Sequence, residues 1–228
     1  MLTLAFDTSS RTASVAILNG RILVYEAVMN TGANHSEVLL SAIDEACRKS
    51  RCSINEMDFL CCTTGPGSFT GLRIGISTLK GFILATGKPA VGVSSLMALA
   101  MNVDDTRGII CPVMDAGRGQ VYTASFLYDK DGVLNQVEPE KAVNPDNIGQ
   151  QPRNTVFVGD GAVQHAESIT QHQEGAMIRS RSHQMIRGFN VGILGQEKYR
   201  RLDDPQASAF SPLYLRCADA VAAKSIFS

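Results

Sequence analysis

The chain has 228 residues, 44% of them apolar and 19% charged, with a formal net charge of −1. That length accommodates one large domain or two lobes around a sizeable core, and the even charge balance argues against binding nucleic acid by overall electrostatics. The cysteines at 47, 52, 61, 62, 111 and 217 form no CxxC pair and no Cys/His metal spacing and read as reduced thiols, while an aspartate at position 7 argues against a signal peptide and no apolar run approaches the ~20 residues of a membrane span, so the expectation is a cytoplasmic protein with no membrane partner.

LTLAFD, residues 2–7, places Leu2, Leu4 and Phe6 on one side and predicts a strand. ASVAIL and RILVYEAV predict two more, joined through Asn19-Gly20, a pair suited to a primed turn because both of its central residues need positive φ. A helix follows, with Asn34 and Glu37 at capping-box spacing and Leu39, Leu40, Ile43 and Cys47 on its apolar face. MDFLCCTT, residues 57–64, is a continuous apolar run and predicts a buried strand. A glycine-rich loop then leads into a helix ending near Thr86, the short strand AVGV and a helix from about Ser94.

From residue 108 the pattern restarts. IICPVMD, QVYTASFLY and VLNQVE predict three strands, the last two joined at Asp131-Gly132, and a helix near 144–151, the strand TVFVG and further helices follow. Both halves begin with a strand ending in aspartate, a small-residue turn, a strand, an Asx-Gly turn and a strand. The repeat predicts an α/β fold of the actin-like ATPase type. Its two lobes carry mixed sheets and are built from a duplicated β-β-β-α-β-α unit, the first at 1–104 and a smaller second at 105–228. In that plan the two strand–turn–strand edges face a nucleotide between the lobes. Asp7 and Asp115, with Thr8, Ser9 and the glycines of Gly159-Asp160-Gly161, are the candidate remnants of such a site: the aspartates orient a metal or water and the turn amides hold phosphate.

TTGPGSFTGLRIG, residues 63–75, resembles a phosphate loop but matches none of the common motifs. It lacks the lysine of GxxxxGK[ST], its glycines are one residue off the dinucleotide fingerprint, and Pro66 and Thr70 stand where G-x-S-x-G needs glycine. Pro66-Gly67 suits the centre of a type II turn, Ser68 or Thr70 can cap the next helix, and the free amides there attract an anion; Gly67 and Ser68 therefore join the candidate phosphate residues. The helix beyond is apolar nearly all round, with Arg73 and Lys80 on one thin stripe. A helix covering a sheet should be polar on its outer half, so the second apolar face is either buried by another part of the chain or, the preferred reading, contacts a partner.

FDTSSRTASVAIL, HSEVLL, GPGSFTGLRIG, GKPAVGVSSLMALA, DAGRGQVY, VGDGA and PLYLR occur in the order and spacing of a known family. Across nearly its whole length the chain resembles the TsaB (YeaZ) family, non-catalytic subunits of the bacterial system that makes threonylcarbamoyladenosine in tRNA. The resemblance implies a scaffold or activator. Its expected partners are the catalytic paralogue TsaD, which transfers threonylcarbamoyl to the adenosine beside the anticodon, and the small ATPase TsaE, with tRNA reached through the complex and a homodimer in isolation. It implies no cofactor for the chain alone, and ATP or ADP at the interface of the complex. Association is expected through His35, Leu39 and Ile43 of the first helix and Phe69, Leu72, Arg73, Ile76, Leu79 and Lys80 of the loop and its helix. Where the catalytic paralogue carries two metal-binding histidines four apart, this chain has Ser95 and Leu99, so neither a catalytic nor a metal residue is expected. Gly117 and Gln120 depart from the family's usual arginine and glutamate.

Two other readings are set against this one. An independent ATP-dependent phosphotransferase of the same fold would use Asp7, Thr8, Asp115 and the residues at 159–161, but Asp7 is followed by Thr-Ser with no glycine. A hydrolase finds neither a zinc motif nor a nucleophile elbow. The basic stretch 176–201 reads as a solvated face.

Overall fold

The structure, a computed structural model, describes residues 1–30, 32, 35–104, 106–201 and 211–215. Asn34, expected as a helix cap, and the segment 217–228 lie outside those residues. The first sheet is assembled from β1 (Leu2–Asp7), β2 (Thr12–Asn19), β3 (Ile22–Asn30), β4 (Phe59–Gly65) and β5 (Ala90–Ser94) in the order β3-β2-β1-β4-β5. β1, β2 and β3 form an antiparallel meander, and β4 and β5 add in parallel. The hairpin loop is Gly20-Arg21, one residue later than Asn19-Gly20: Asn19 pairs with Ile22, and Gly20 supplies the positive φ of +59°.

The second sheet repeats the plan. β6 (Ile110–Gly117), β7 (Gln120–Tyr128), β8 (Leu134–Val143), β9 (Val156–Val158) and β10 (Met177–Ile178) stand in the order β10-β9-β6-β7-β8, the first sheet's order read from the other edge. This is the duplicated actin-like fold expected from the sequence. Two details differ. The helix expected near 144–151 is only a 3-10 turn at Pro145–Asn147, which Asn144 caps by accepting from the Asp146 amide at 3.1 Å. β10 was not foreseen, because two residues carry no periodicity.

Helices α1 (His35–Lys49) and α2 (Phe69–Thr86) cover one face of the first sheet, packing on Leu4, Phe6, Val15, Ile17 and Leu60. The other face carries α6 (Gly188–Arg200), which follows the whole second sheet in sequence yet packs on β1, β2, β4 and β5. It brings Gly188, Gly192 and Gly195 against Ala16, Leu18 and Cys61, so the small side chains on that face of the sheet are matched by an absence of side chains on the helix. α3 (Ser95–Ala100) lies against β6 and β7 and joins the two sheets in one core with Phe59, Val93, Met114, Phe126 and Ile193. α4 (Asp160–Gln164) and α5 (Ala166–His172) complete the second lobe. Among the described residues no helix is long and apolar enough to cross a membrane.

Candidate functional site

Asp7, the last residue of β1, and Asp115, two residues before the end of β6, perform the same local task in the two halves. Asp7 Oδ1 accepts from the Ser9 N–H at 3.0 Å, and Asp115 Oδ1 accepts from the Gly117 N–H at 2.8 Å. Each carboxylate thus closes a turn two residues ahead, the local bond that aspartate side chains favour at turns. Asp7 Oδ1 also receives the Ser9 hydroxyl at 2.6 Å and the Thr63 hydroxyl at 2.5 Å, while its Oδ2 is buried with no partner. Asp160 carries the matching load in the second lobe, its Oδ1 accepting from the Asp115 and Gly161 amides at 3.2 and 2.9 Å. The β6–β7 loop is Arg118-Gly119, with positive φ at both and at Gly117 (+72°), a conformation that favours glycine.

The glycine loop is pressed onto the β1–β2 turn. The Ser68 N–H donates to the Ser9 carbonyl at 2.7 Å, and the Thr8 hydroxyl donates to the Gly71 carbonyl at 2.8 Å. A Cβ at Gly67 would strike the Ser9 carbonyl, and one at Gly71 the Thr8 carbonyl. Gly67 is therefore glycine for close approach and does not take the positive φ of a type II turn; Gly65 holds the left-handed position at +121°. Ser68 caps α2, its Oγ accepting from the Gly71 N–H at 3.2 Å. His35 is buried, its Nε2–H donating to the Ser10 carbonyl at 2.8 Å and holding the same turn from α1.

These turns face one another across a cleft of about 440 Å³ lined by Ser9, Ser10, Arg11, Gly67 and Ser68 from the first lobe and Asp115, Gly117, Tyr122 and Asp160 from the second. Of the candidate phosphate residues, Ser9, Gly67, Ser68 and Asp115 reach the cleft. Asp7 and Thr8 are sealed behind it, and Gly159 and Gly161 are packed on the Val113 carbonyl. A phosphate chain would need open amides, and those of Ser9, Ser68, Gly71 and Gly117 already donate inside the chain. Asp115 and Asp160 bring acid to the same wall. Arg11 and the Phe69–Thr70 start of α2 line the cleft as well, so it offers an anion a cation and a helix start opposite two carboxylates.

One feature of the cleft mouth had no sequence signal beyond a short motif. The Leu213 N–H donates to the Thr64 carbonyl at 2.7 Å, which lays Tyr214 on Phe69 with ring centres 4.6 Å apart. Arg73 stacks 3.8 Å over the same Phe69 ring and donates from Nε to the Tyr214 hydroxyl at 3.2 Å. Only PLYLR as a motif pointed here; its contact is non-local.

Six of the nine residues expected at a partner interface are internal. His35, Leu39, Ile43, Leu72, Ile76 and Leu79 are buried: Leu39, Ile43, Ile76 and Leu79 pack into the core beneath the two helices, and His35 is turned onto the Ser10 carbonyl. Ile74, Phe82 and Ile83, which gave α2 its second apolar face, are half-covered against the same core. What α1 and α2 present outward is Arg73, Lys80, Leu40 at 56% exposure and Leu84 at 88%. The basic stretch is partly tied down: Arg187 pairs with Glu26, and Lys198 donates to the Gly92 carbonyl at 2.7 Å.

Burial raises the carboxyls of Asp7, Asp160 and Glu140 above their ordinary range, against hydrogen bonds that pull the other way. A raised folded-state pKa means that the folded chain binds the proton more tightly. The stability so gained is present at low pH and lost as pH rises through the folded value. Unfolding free energy is therefore expected to increase as pH falls from above the raised folded values toward the ordinary carboxylate range near ~4, each such group contributing at most ~1.4 kcal/mol per pH unit. Asp7→Asn keeps the accepting oxygen and removes the titration, so denaturant unfolding across that range should give a shallower slope. An unchanged slope would show that Asp7 does not titrate there.

A family model described as TsaD, tRNA N6-adenosine threonylcarbamoyltransferase, matches residues 29–184. The chain is 31% identical over 228 residues to the tRNA threonylcarbamoyladenosine biosynthesis protein TsaB of Bacillus subtilis, with 97% of each chain covered. Among solved structures, YeaZ from Pseudomonas aeruginosa matches with a TM-score of 0.81 at 22% identity, over 94% of this chain and 99% of that one. Component A of (R)-2-hydroxyglutaryl-CoA dehydratase from Acidaminococcus fermentans matches at 0.53 and 12% identity, over 88% and 100%. At these identities the two structures speak for the fold.

Proposed function

The chain belongs to the TsaB family of tRNA threonylcarbamoyladenosine biosynthesis proteins, and from that premise we propose that it is a non-catalytic subunit that supports threonylcarbamoyl transfer by a TsaD-type paralogue, with a TsaE-type ATPase acting on the pair. The observation that carries this reading is the state of the glycine loop. Its glycines and amides serve contact with the β1–β2 turn and the cap of α2, so the loop acts as a brace for the two helices of the first lobe. Ser95 and Leu99, at the places where the catalytic paralogue's histidines are expected, are buried in the core, where neither can present a ligand to the cleft. Adenine nucleotide is proposed to belong to the assembled complex, with no cofactor required by this chain alone.

The test is threonylcarbamoyl transfer to tRNA by the paralogue and the ATPase, with and without this chain. Transfer that depends on the chain, with none by the chain alone, is the expected result. Transfer indifferent to it, or ATP turnover by the isolated chain, would return the cleft to the phosphotransferase reading. The proposed partner surface is the outward side of α1 and α2. Leu40→Glu with Leu84→Glu should leave stability within about 0.5 kcal/mol, as exposed substitutions do, and should lower association with the paralogue at least tenfold in a titration. Full association would remove this face from the proposal.

A further inference from the structure

The C-terminal end of α1 carries an arrangement that the proposed function does not use. Arg51 takes the left-handed conformation at φ +54°, the Cys52 N–H donates to the Cys47 carbonyl at 3.0 Å, and the Arg51 N–H donates to the Arg48 carbonyl at 3.2 Å. These are the 6→1 and 5→2 bonds of a Schellman cap, a motif that brings the side chains of its first and last residues together. Here both are cysteine. Both are half-buried and both pack on the core beneath α1. A direct backbone hydrogen bond between two residues keeps their Cα atoms within the ~4.4–6.8 Å that a disulfide spans. Cys61, Cys62 and Cys111 are buried, so among the described residues this is the thiol pair that solvent can reach. The charges that face the pair are mixed: Asp44 and Glu56 act on the two thiols, Arg48 pairs with Asp44, and Lys49 and Arg51 are exposed alongside.

We propose that Cys47 and Cys52 are a dithiol–disulfide site that exchanges with low-molecular-weight disulfides such as oxidised glutathione. Cys52, the less enclosed of the two, loses its proton to solvent, and its sulfur attacks one sulfur of the oxidant, expelling one glutathione thiolate. Cys47 loses its proton in turn, and its sulfur displaces the second glutathione from Cys52. One disulfide bond is broken and one formed. The two cysteines are oxidised by two electrons, and one glutathione disulfide becomes two glutathiones. Burial pushes the Cys47 thiol up to about 11 and raises Cys52, so the reduced pair is protonated near neutral pH and exchange quickens as pH rises. The bond would staple the end of α1, one of the two helices proposed to meet the partner.

The experiment treats the full chain, without denaturant, with excess oxidised glutathione, blocks remaining thiols by alkylation and digests with trypsin. Cleavage after Arg48, Lys49 and Arg51 separates Cys47 from Cys52 unless a disulfide joins them. The expected product is the joined peptide, lost on reduction, while Cys47→Ser and Cys52→Ser each leave a stable glutathione adduct on the surviving cysteine. As a check independent of any variant, one equivalent of phenylarsine oxide, which needs two neighbouring thiols, should protect both cysteines of the wild type from alkylation. Separate adducts or free thiols at 47 and 52 in the wild type, linkage of either to another cysteine, or alkylation of both in the presence of the arsenical would overturn the proposal.

Discussion

Alanine in place of Gly71 is expected to lower the unfolding free energy by roughly 2–4 kcal/mol, the range of overpacking against a wall that cannot yield. The added Cβ would sit on the Thr8 carbonyl oxygen and near the His35 ring. Neither is the end of a flexible side chain: Thr8 is held in turn by its own hydroxyl on the Gly71 carbonyl, and His35 by the Ser10 carbonyl. Relief requires α2 to move off the sheet, which would also break the Ser68 contact with Ser9 at 2.7 Å. Gly81 lies on the same helix with nothing near its missing Cβ. Gly81→Ala should instead stabilise by about 0.5–1 kcal/mol, the difference in helix propensity. Denaturant unfolding of the two variants compares steric crowding with propensity inside one element. Equal stabilities would mean that the loop does not brace α2 as described. Because the brace sets where α1 and α2 stand, Gly71→Ala should also weaken support of tRNA modification under conditions where it remains folded.

The second large effect is at Gly188, where alanine is expected to cost about 2–3 kcal/mol. Its Cβ would meet the Ala16 amide nitrogen, the Ala16 Cβ and the Val15 carbonyl carbon at 2.8–3.0 Å, all of them main chain or fixed to it. Gly192, one turn on, faces the two methyl ends of Leu18, which can rotate away, so Gly192→Ala should cost less than half as much. If the order were reversed, α6 would not be seated on β2 in the register described.

Much of this architecture was legible because it is local. The alternation in LTLAFD, the unbroken run MDFLCCTT and the cap at Ser68 each declare an element within a few residues. Asp7 and Asp115 announced the duplication because each stands at or near the end of its strand and turns back on an amide two positions away. The expected helix near 144–151 failed because a polar, proline-bearing segment supports a single 3-10 turn without an apolar stripe to bury. Apolar residues on α1 and α2 could be counted but not aimed: Leu72, Ile76 and Leu79 on the sheet and Leu84 in solvent are the same kind of letter.

The amino-acid order by itself determined the element types, the two-fold repetition of the strand plan and the membership of a family, since these rest on periodicity, turn chemistry and motifs along the chain. Only the tertiary structure decided that the glycine loop is packed against the β1–β2 turn, that α6 returns to the first sheet through Gly188, Gly192 and Gly195, and that Tyr214 closes over Phe69. The reason is physical. A glycine marks a place where something comes close or φ turns positive, but which of the two applies, and what comes close, depends on atoms that can be more than a hundred residues away.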